Sequence, residues 1–577
     1  MRAQILLPIF GLIAALVSAC ATPLGAPGQP IAVTKATGAT QSRLPCNRNA
    51  SPHCDLRIYQ INVGTFVDAS PEHGPQDGYG PGPHSGDLEG VITALDHIQK
   101  LGFNAIWLTP IFDSRVGEPQ ARPDGTSHVD TKLDGTGYFA RDYFKIDPQF
   151  GTLEQAQRLV QTAHARGMKV FFDGVFGHHK GALMASPSGL LPADAIAPQA
   201  YDGRAATYPG RIVDFSDPKS TAFYQEVARY WMEVLGIDGW RLDQVYQIPA
   251  EPLRTITAEI EASAAKQFQT SYVVGEMWGD AKAIRNVLGP SDQPALRSAF
   301  DFPTRYALVQ ILATDENGAR NKPAASLNQD WALGAHATYP DHAIMNFMLG
   351  NHDLVRFGDL IERARKGSPS NASSSDASYW ARHKMAFTFM AAWSGPITLY
   401  YGEELGREVA GFAEKVTHNC VPQGFCDDHV ARSLVLFPGI NARAGAASAN
   451  ALDLQAYLAQ LMALRDAHKA LSAGARTHLY SDKTLFIDLK SLGPEHFVLA
   501  MNVGGEAKSV RLDHAALGLA RVASVVPAIG GAQATRDDNG ARPATKCPKN
   551  VMHSIAFDGI SRHSASRPRH PLPAKRS

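Results

Sequence analysis

The sequence lacks an excess of charge of either sign. Its 577 residues include 55 Lys and Arg and 55 Asp and Glu, so the formal net charge at pH 7 is zero. Proteins that bind nucleic acid through its phosphates need a basic surplus that releases counterions. We therefore expect no nucleic-acid partner. The length allows two or three domains and a large core.

Long apolar runs are absent except at the N-terminus. Arg2 precedes an apolar segment from Ile5 to Val17, which is too short to span a bilayer comfortably and is typical of a signal peptide. The segment 16–20 reads Leu-Val-Ser-Ala-Cys and resembles a bacterial lipobox, which implies lipidation of Cys20. A plain signal peptide, cut near Ala19 or Ala21, is the alternative.

The residue after Cys20 indicates where such a lipoprotein would lie. Ala21 follows the cysteine, and by resemblance to Gram-negative lipoproteins this favours the outer membrane, facing the periplasm or the cell surface. No later stretch is long and apolar enough to cross a membrane. The lipid anchor is thus the only membrane contact that we expect.

Cysteine is scarce, with six residues in the chain. Export permits disulfides, and two pairs are close enough in sequence for short-loop bridges, Cys46 with Cys54 and Cys420 with Cys426. Cys547 is left over. None of the cysteines has the spacing of a zinc site, such as a repeated C-x-x-C with His, so no zinc site is predicted.

Composition changes along the chain divide it into segments. After the signal peptide 1–20, residues 21–54 are rich in Pro, Gly, Ala, Thr and Ser and predict a flexible tether. Residues 55–475 are predicted to form the main domain. Residues 476–560 contain alternating strands and predict an antiparallel β domain. The basic, Pro-rich tail 561–577 is predicted to be disordered.

Strand-like and helix-like segments alternate over 55–475, which predicts a parallel sheet covered by helices. The expected strands are 56–63, 103–108, 168–172, 237–242, 272–274, 344–349 and 397–400, with helices at 90–101, 153–165 and 221–235. An open doubly wound sheet would fit this order. We favour a (β/α)8 TIM barrel, with the segment 178–220 as a short inserted loop domain after strand 3, because acidic residues end many strands.

Three of those acidic residues have distinct surroundings. Asp243 ends an apolar strand two residues after Arg241, on the same side of an extended chain, and a guanidinium lowers the pKa of a neighbouring carboxylate. Glu276 follows apolar residues, which raise a carboxyl pKa and suit a general acid. Asp353 follows His352 and could hold a developing cation. This combination suits the cleavage of glycosidic bonds.

Longer motifs make the resemblance specific. Between about residues 55 and 505 the chain resembles the α-amylase family, glycoside hydrolase family 13. The matching segments are 85–90, 101–110, 137–143, 146–152 and 395–404, together with the three acidic motifs 239–243, 274–278 and 349–353.

The resemblance implies a role for each matched residue. Asp243 resembles the nucleophile that forms a covalent glycosyl intermediate, Glu276 the general acid and base, and Asp353 the carboxylate that stabilises the transition state. Arg241 would hold Asp243. The residues that would surround the sugar are His352, His178 and Tyr138, the last as an aromatic platform.

Three positions depart from the family pattern. Calcium-dependent members carry an Asn ligand where this chain has Gly177, which offers no side-chain oxygen. After Asp243 the amylases often carry Lys-His, where this chain has Tyr246 and Gln247. We therefore predict no metal at the usual calcium position and no other cofactor, and expect an altered acceptor side.

The resemblance implies a retaining hydrolase that cleaves α-1,4-glucosidic bonds in soluble starch, maltodextrins or cyclodextrins. No starch-binding module precedes the barrel or follows the β domain, which disfavours granular starch. A transglycosylase or isomerase acting on sucrose, trehalose or maltose would use the same intermediate. A catalytically silent carbohydrate-binding lipoprotein is a third possibility, disfavoured because every carboxylate is present. The oligomeric state is left open.

Overall fold

The structure is a computed structural model of the chain. It describes residues 30–69, 84–114, 120–121, 127–128, 135–180, 183–195, 211–267, 269–365, 376–409, 430–441, 445–514, 516–519, 524–529, 533–536, 543–547 and 551–558. The expected signal peptide with Cys20, the cysteines Cys420 and Cys426, and the expected tail 561–577 lie outside these residues.

Eight parallel strands close into a barrel. The last strand pairs with the first, Ile397 lying opposite Arg57. Almost every strand residue is buried, because one face points into the barrel and the other packs under helices. The predicted (β/α)8 barrel is confirmed, and the open doubly wound sheet is wrong. In chain order the strands are Arg57–Ile61, Ala105–Leu108, Lys169–Gly174, Gly239–Leu242, Tyr272–Gly275, Ser298–Phe300, Ile344–Met348 and Ile397–Tyr400.

The sixth strand, Ser298–Phe300, was missing from the sequence prediction. It has three residues and begins with a serine, so no apolar run marks it. It belongs to the sheet because it pairs with Gly275 on one side and with the seventh strand on the other. The strand is thus stabilised by its two neighbours in the barrel and not by a local apolar pattern.

Several helices begin at residues whose side chains cap them. Asp87 accepts a hydrogen bond from Gly90 N, and Thr152 forms a capping box with Gln155. Gly236 ends the third helix with a positive φ of 72°, which glycine adopts without strain. The helices are Leu88–Lys100, Leu153–Ala165, Pro218–Leu235, Ala250–Lys266, Ala281–Leu288, Phe302–Leu312, Phe357–Ala364, Ala377–Ala391, Ala449–Ala467 and Lys469–Ala473.

Two sheets follow the barrel. A six-stranded sheet contains Thr40–Gln41, Ala475–Ser481, Leu485–Leu492, Glu495–Asn502, Val551–Asp558 and Ser524–Ile529, in that order. A four-stranded sheet contains Ile31–Val33, Lys508–Leu512, Pro543–Cys547 and Gln533–Arg536. All pairings are antiparallel except that of Ile31–Val33, which is parallel. The C-terminal antiparallel β domain is therefore present.

The segment 21–54 was predicted to be a flexible tether. From residue 30 onward it instead contains two short strands that pair with strands of the β domain. Ile31–Val33 pairs with Lys508–Leu512, and Thr40–Gln41 pairs with the strand Ala475–Ser481. Val33 is buried in the core of the β domain, which explains why the segment is held despite its polar composition. A disulfide joins Cys46 and Cys54, as expected.

Short ribbons lie above the barrel. Phe112–Asp113 pairs with Asp142–Ile146, and Gln120–Ala121 pairs with Ser127–His128. In the inserted segment 178–220, His178–His179 pairs with Arg211–Ile212. Within the described part of the chain, no helix combines the length and apolar character that a membrane crossing requires.

Candidate active site

Acidic residues gather at the carboxyl ends of the barrel strands. Asp173 lies near the end of the third strand, Asp243 follows the fourth and Glu276 follows the fifth. Asp353 stands in the loop after the seventh strand. This is the face where barrel enzymes carry their active sites. The structure brings together the three carboxylates that the sequence singled out.

Arg241 connects these carboxylates. Its Nη1 donates to Asp173 Oδ1 at 2.7 Å and to Asp243 Oδ1 at 2.8 Å. Its Nη2 lies 3.0 Å from Glu276 Oε2, in an ion pair without hydrogen-bond geometry. All four side chains are buried, so their interaction is screened little by water. One guanidinium thereby fixes the nucleophile candidate and the acid candidate in one site.

Asp243 keeps one oxygen free. Its Oδ1 is held by Arg241, whereas its Oδ2 is buried and has no hydrogen-bond partner among the described residues. Burial raises the pKa of Asp243 to about 7, and Arg241 opposes that rise without overcoming it. The expectation that the guanidinium sets a lowered pKa is wrong, because burial and the neighbouring anions outweigh it.

Glu276 has the setting expected of a general acid. It is 4% exposed, and burial raises the pKa of its carboxyl to about 7, against the opposing charge of Arg241. The backbone N–H of Gln244 donates to Oε2 at 3.2 Å, which orients the carboxyl group. A carboxyl with this pKa is still partly protonated at neutral pH and can donate a proton.

Asp353 differs from the other two carboxylates. Burial alone would raise its pKa, but His352 and Arg432 hold the pKa well below its usual range. His352 Nε2 lies 3.0 Å from Oδ2, and Arg432 Nη2 donates to Oδ1 at 2.5 Å. Gln60 contacts the other nitrogen of His352 at 2.7 Å. Asp353 is therefore ionised whenever Glu276 is protonated.

Tyr138 lies over the middle of this cluster. Its ring stacks on the His352 ring at 5.1 Å with an interplanar angle of 13°. Its hydroxyl donates to Asp173 Oδ2 at 2.9 Å, and the indole N–H of Trp107 donates to the same oxygen at 3.1 Å. Asp173 thus orients Arg241 and Tyr138 and has no oxygen left for a substrate.

His178 lies behind Tyr138 and is 1% exposed. Its Nε2 is 3.1 Å from the carbonyl oxygen of Tyr138, and its Nδ1 is 2.9 Å from Oε1 of Gln247. Burial lowers the pKa of His178 to about 4, so the ring is neutral at ordinary pH. The residues singled out for sugar binding, Tyr138, His178, Arg241 and His352, all lie in this one region.

An exposed aromatic side chain follows the acid closely in sequence. Trp278 follows Glu276 by two residues and is 42% exposed, while its other face stacks on Phe302 at 5.4 Å. Its indole N–H donates to the Tyr306 hydroxyl at 2.8 Å. A cavity of about 340 Å³ separates Trp278 from Trp331, which is 40% exposed. A fixed aromatic ring with one open face can stack on a sugar ring.

Several site residues were missed by sequence reasoning. Arg432 has no motif around it, and its position depends on Arg356, whose guanidinium donates to Ala431 O at 3.0 Å and to Ser433 Oγ at 3.1 Å. Gln60 and Trp107 look like ordinary strand residues. Gln247 was noted only as a departure from the family. The polar side chain of Gln60 in a largely apolar strand was a signal in the sequence that could have indicated a site residue.

The chain is similar to known proteins over most of its barrel. The family model described as the catalytic domain of α-amylase matches residues 60–184 and 213–433. A cyclomaltodextrinase from Thermoanaerobacter pseudethanolicus is 29% identical over 376 residues, covering 61% of this chain and 57% of that protein. A cyclomaltodextrinase from Geobacillus thermopakistaniensis is 26% identical over 491 residues, covering 79% and 70%.

A solved structure is similar over most of the chain. The crystal structure of AmyP in complex with maltose is 41% identical, covers 88% of this chain and 98% of that one, and has a TM-score of 0.76. The match with the first curated relative spans little more than half of that protein's length. Because the catalytic-domain model matches more than half of the sequence, the chain belongs to the α-amylase family.

Proposed function

We propose that this protein is a retaining glycoside hydrolase that cleaves α-1,4-glucosidic bonds in soluble starch, maltodextrins or cyclodextrins. The observation that carries the proposal is the shared contact of Arg241 with Asp243 and Glu276, which leaves Oδ2 of Asp243 buried and unpaired. An oxygen with that freedom is placed to attack carbon, and a carboxyl with a raised pKa stands beside it.

In the reactive form Asp243 is ionised and Glu276 is protonated. Oδ2 of Asp243 would then bond to the anomeric carbon as the bond from that carbon to the glycosidic oxygen breaks, while Glu276 gives its proton to that oxygen. In the second step, the ionised Glu276 takes a proton from water, and the oxygen of that water displaces Asp243 from the sugar. The anomeric configuration is inverted twice and so retained. Asp353, which stays ionised, would stabilise the cationic transition state and accept hydrogen bonds from sugar hydroxyls.

The names of similar proteins support an α-glucan substrate. The curated relatives include cyclomaltodextrinases, a neopullulanase and maltogenic amylases, and the AmyP structures are complexes with maltose and maltotriose. The open face of Trp278, two residues from the acid, supports an oligosaccharide over a disaccharide, because the leaving group would extend past Glu276 onto this ring.

Product analysis tests the proposal. The purified protein is incubated with soluble starch, β-cyclodextrin, pullulan, sucrose and maltose, and the anomer released is followed by NMR from the first seconds. We expect α-anomeric maltooligosaccharides from starch or β-cyclodextrin. β-Anomers first would refute the retaining mechanism, and turnover of sucrose or maltose alone would instead support a transglycosylase or isomerase.

Two substitutions test the roles of the carboxylates. Asp243→Asn and Glu276→Gln should each lower kcat by several orders of magnitude, because either removes a group that reacts in the transition state. Circular dichroism and gel filtration serve as controls for folding. A variant that keeps its activity would refute the role of that residue, and binding of maltotriose without turnover in the unmodified protein would indicate the silent carbohydrate-binding protein.

We also propose that the protein is exported and lipid-anchored through Cys20, in the outer membrane. The support is the segment 16–20 followed by Ala21, which resembles a lipobox. Metabolic labelling with a palmitate analogue in a Gram-negative host should mark the protein, and Cys20→Ser should abolish the label. Release of an unlabelled, cleaved protein by both forms would indicate the plain signal peptide.

A further inference from the structure

We propose that Gln247 is a positioning residue that holds the His178 ring, and that residue 177 is glycine because the Gln247 side chain fills the adjoining space. Oε1 of Gln247 lies 2.9 Å from Nδ1 of His178. A Cβ built on Gly177 would lie 2.3 Å from the same Oε1 and 2.5 Å from Cβ of Gln247. No side chain larger than hydrogen fits there unless Gln247 moves.

The hydrogen-bonding capacity of the ring explains why an amide is suited to this place. A neutral imidazole has one N–H and one acceptor nitrogen. Nε2 faces a backbone carbonyl, that of Tyr138, which can only accept, so the N–H of His178 belongs on Nε2. Nδ1 must then accept a hydrogen bond, and an amide turned by 180° about its last bond presents an N–H at the same location. A carboxylate could not do so.

The contact joins loops from three consecutive strands. Gln247 lies four residues after Asp243, His178 follows the third strand, and Tyr138 lies in the loop after the second. The Gln247 amide also lies 2.9 Å from Oε1 of Gln244, and turning the Gln247 amide keeps this hydrogen bond when the Gln244 amide is turned with it. The backbone N–H of Gln244 donates to Oε2 of Glu276. These contacts therefore connect Glu276, the candidate general acid, to His178 and to the loop that carries Tyr138.

This arrangement disagrees with the calcium ion that the family resemblance implies. Calcium binds six to eight oxygen atoms, and the expected Asn ligand is Gly177, whose neighbouring space Gln247 occupies. Among the described residues, no group of three or more His, Cys, Asp or Glu side chains could hold a metal ion. The residues at this junction do not fit the ion, and a direct hydrogen bond ties the loops together in its place.

A double-mutant cycle tests whether Gln247 acts through His178. Gln247→Ala should lower kcat on β-cyclodextrin roughly tenfold with KM changed less than about twofold, because the contact orients the site without touching the substrate. In a His178→Ala background the same change should have less than about a twofold further effect. Losses that multiply would overturn the proposal.

Gln247→Glu supplies a readout that does not depend on turnover. The carboxylate can only accept, so Nδ1 gains a proton while Nε2 keeps its own, and His178 becomes charged. With ¹⁵N-labelled histidine, NMR at pH 6.5 should show neutral His178 in the natural protein and a charged ring in the variant. His179, which lies 3.0 Å from Asp194, is the adjacent histidine and is unchanged in the variant, so its signal serves as the internal reference. A neutral ring in both would overturn the proposal.

Melting temperatures of Gly177 variants, and of the natural protein with and without calcium, complete the test. Gly177→Ala should lower the melting temperature of the natural protein by several degrees, but it should change that of a Gln247→Gly variant much less, because Gln247→Gly removes both Oε1 and Cβ of Gln247, which the new Cβ would meet. The double variant should not recover kcat, because the contact with His178 is absent. EDTA and added CaCl₂ should leave the melting temperature of the natural protein unchanged. A calcium-dependent shift, or an equally large loss from Gly177→Ala in the Gln247→Gly variant, would overturn the inference.

The inference rests on the proposed function only for its turnover assay. If the natural protein hydrolysed none of the glucans, the proposed function would fail, while the NMR and melting experiments would still decide whether Gln247 holds His178. If hydrolysis were found with an additive cycle and a neutral ring in Gln247→Glu, only the positioning role would fail.

Discussion

Asp353 and Arg432 are 79 positions apart in the chain, yet Nη2 of Arg432 donates to Oδ1 of Asp353 at 2.5 Å. Arg432 also donates from Nε to the carbonyl oxygen of His352 at 3.2 Å. The contact gives Asp353 a permanent positive neighbour, which helps to lower its pKa. The pKa values of Asp243 and Glu276 are raised instead. His352 and Arg432 together thus keep Asp353 ionised.

Replacing Arg432 should weaken catalysis. Arg432→Ala should lower kcat/KM on β-cyclodextrin by roughly a hundredfold, because the pKa of Asp353 rises and its carboxylate loses its orientation. Arg432→Lys should retain part of the activity, since the charge remains but the second donor does not. As a control, Arg229→Ala removes a half-buried ion pair to Glu259 and should leave kcat/KM unchanged. Full activity in Arg432→Ala would contradict the assignment.

The raised pKa of Glu276 predicts how stability depends on pH. The folded state holds the proton up to about pH 7, whereas an unfolded Glu releases it near its ordinary value of 4.5. The carboxylate therefore destabilises the fold increasingly as the pH rises through that interval. Glu276→Gln mimics the protonated form and should raise the free energy of unfolding by roughly 1–3 kcal/mol at pH 8.

The same comparison at pH 4.5 is the internal control. At that pH Glu276 is protonated in the folded protein, so residue 276 is uncharged in the natural protein and in Glu276→Gln alike. Differential scanning calorimetry at the two pH values would measure the effect. Equal stabilisation at both, or destabilisation at pH 8, would show that burial of the charge at Glu276 does not set the local electrostatics.

The exposed ring of Trp278 should matter for long substrates. Trp278→Ala should lower kcat/KM for maltodextrins of six or more units roughly tenfold, since stacking of a sugar on the open face is lost. A short aryl maltoside, which would not reach the ring, should be affected less than about twofold. Trp331→Ala probes the opposite wall of the same cavity. Equal losses on long and short substrates would indicate a role in holding Glu276.

The disulfide between Cys46 and Cys54 should stabilise the N-terminal side of the barrel. It closes a short loop, and Cys54 O accepts a hydrogen bond from the buried Arg465 at 3.0 Å. Replacing both cysteines with serine should lower the free energy of unfolding by about 2–3 kcal/mol, from the loop-closure entropy regained by the unfolded chain. Activity at 25 °C should stay the same, because the loop is remote from Asp243. Thermal melting with and without a reducing agent measures the change.

The barrel and its principal carboxylates could be predicted because their signals are local. Strands buried on both faces need apolar residues, and the chemistry of Asp243, Glu276 and Asp353 depends on residues within a few positions of each. The strand Ser298–Phe300 escaped notice because three residues carry no periodicity. The segment from residue 30 was misjudged because its strands depend on partners almost 480 positions away, such as Val510 opposite Ile31.

The sequence alone determined the fold class, the three carboxylates and the departures at Gly177 and Gln247, since each is written in neighbouring residues. The tertiary structure decided what those residues do to one another. Burial, which depends on the whole barrel, raises the pKa of Asp243 despite Arg241. The pairing of the seventh and eighth strands places the segments after them side by side, and Arg432 meets Asp353 there. The close approach of two loops links the substitutions at Gly177 and Gln247, because Gln247 contacts His178 and fills the space next to Gly177.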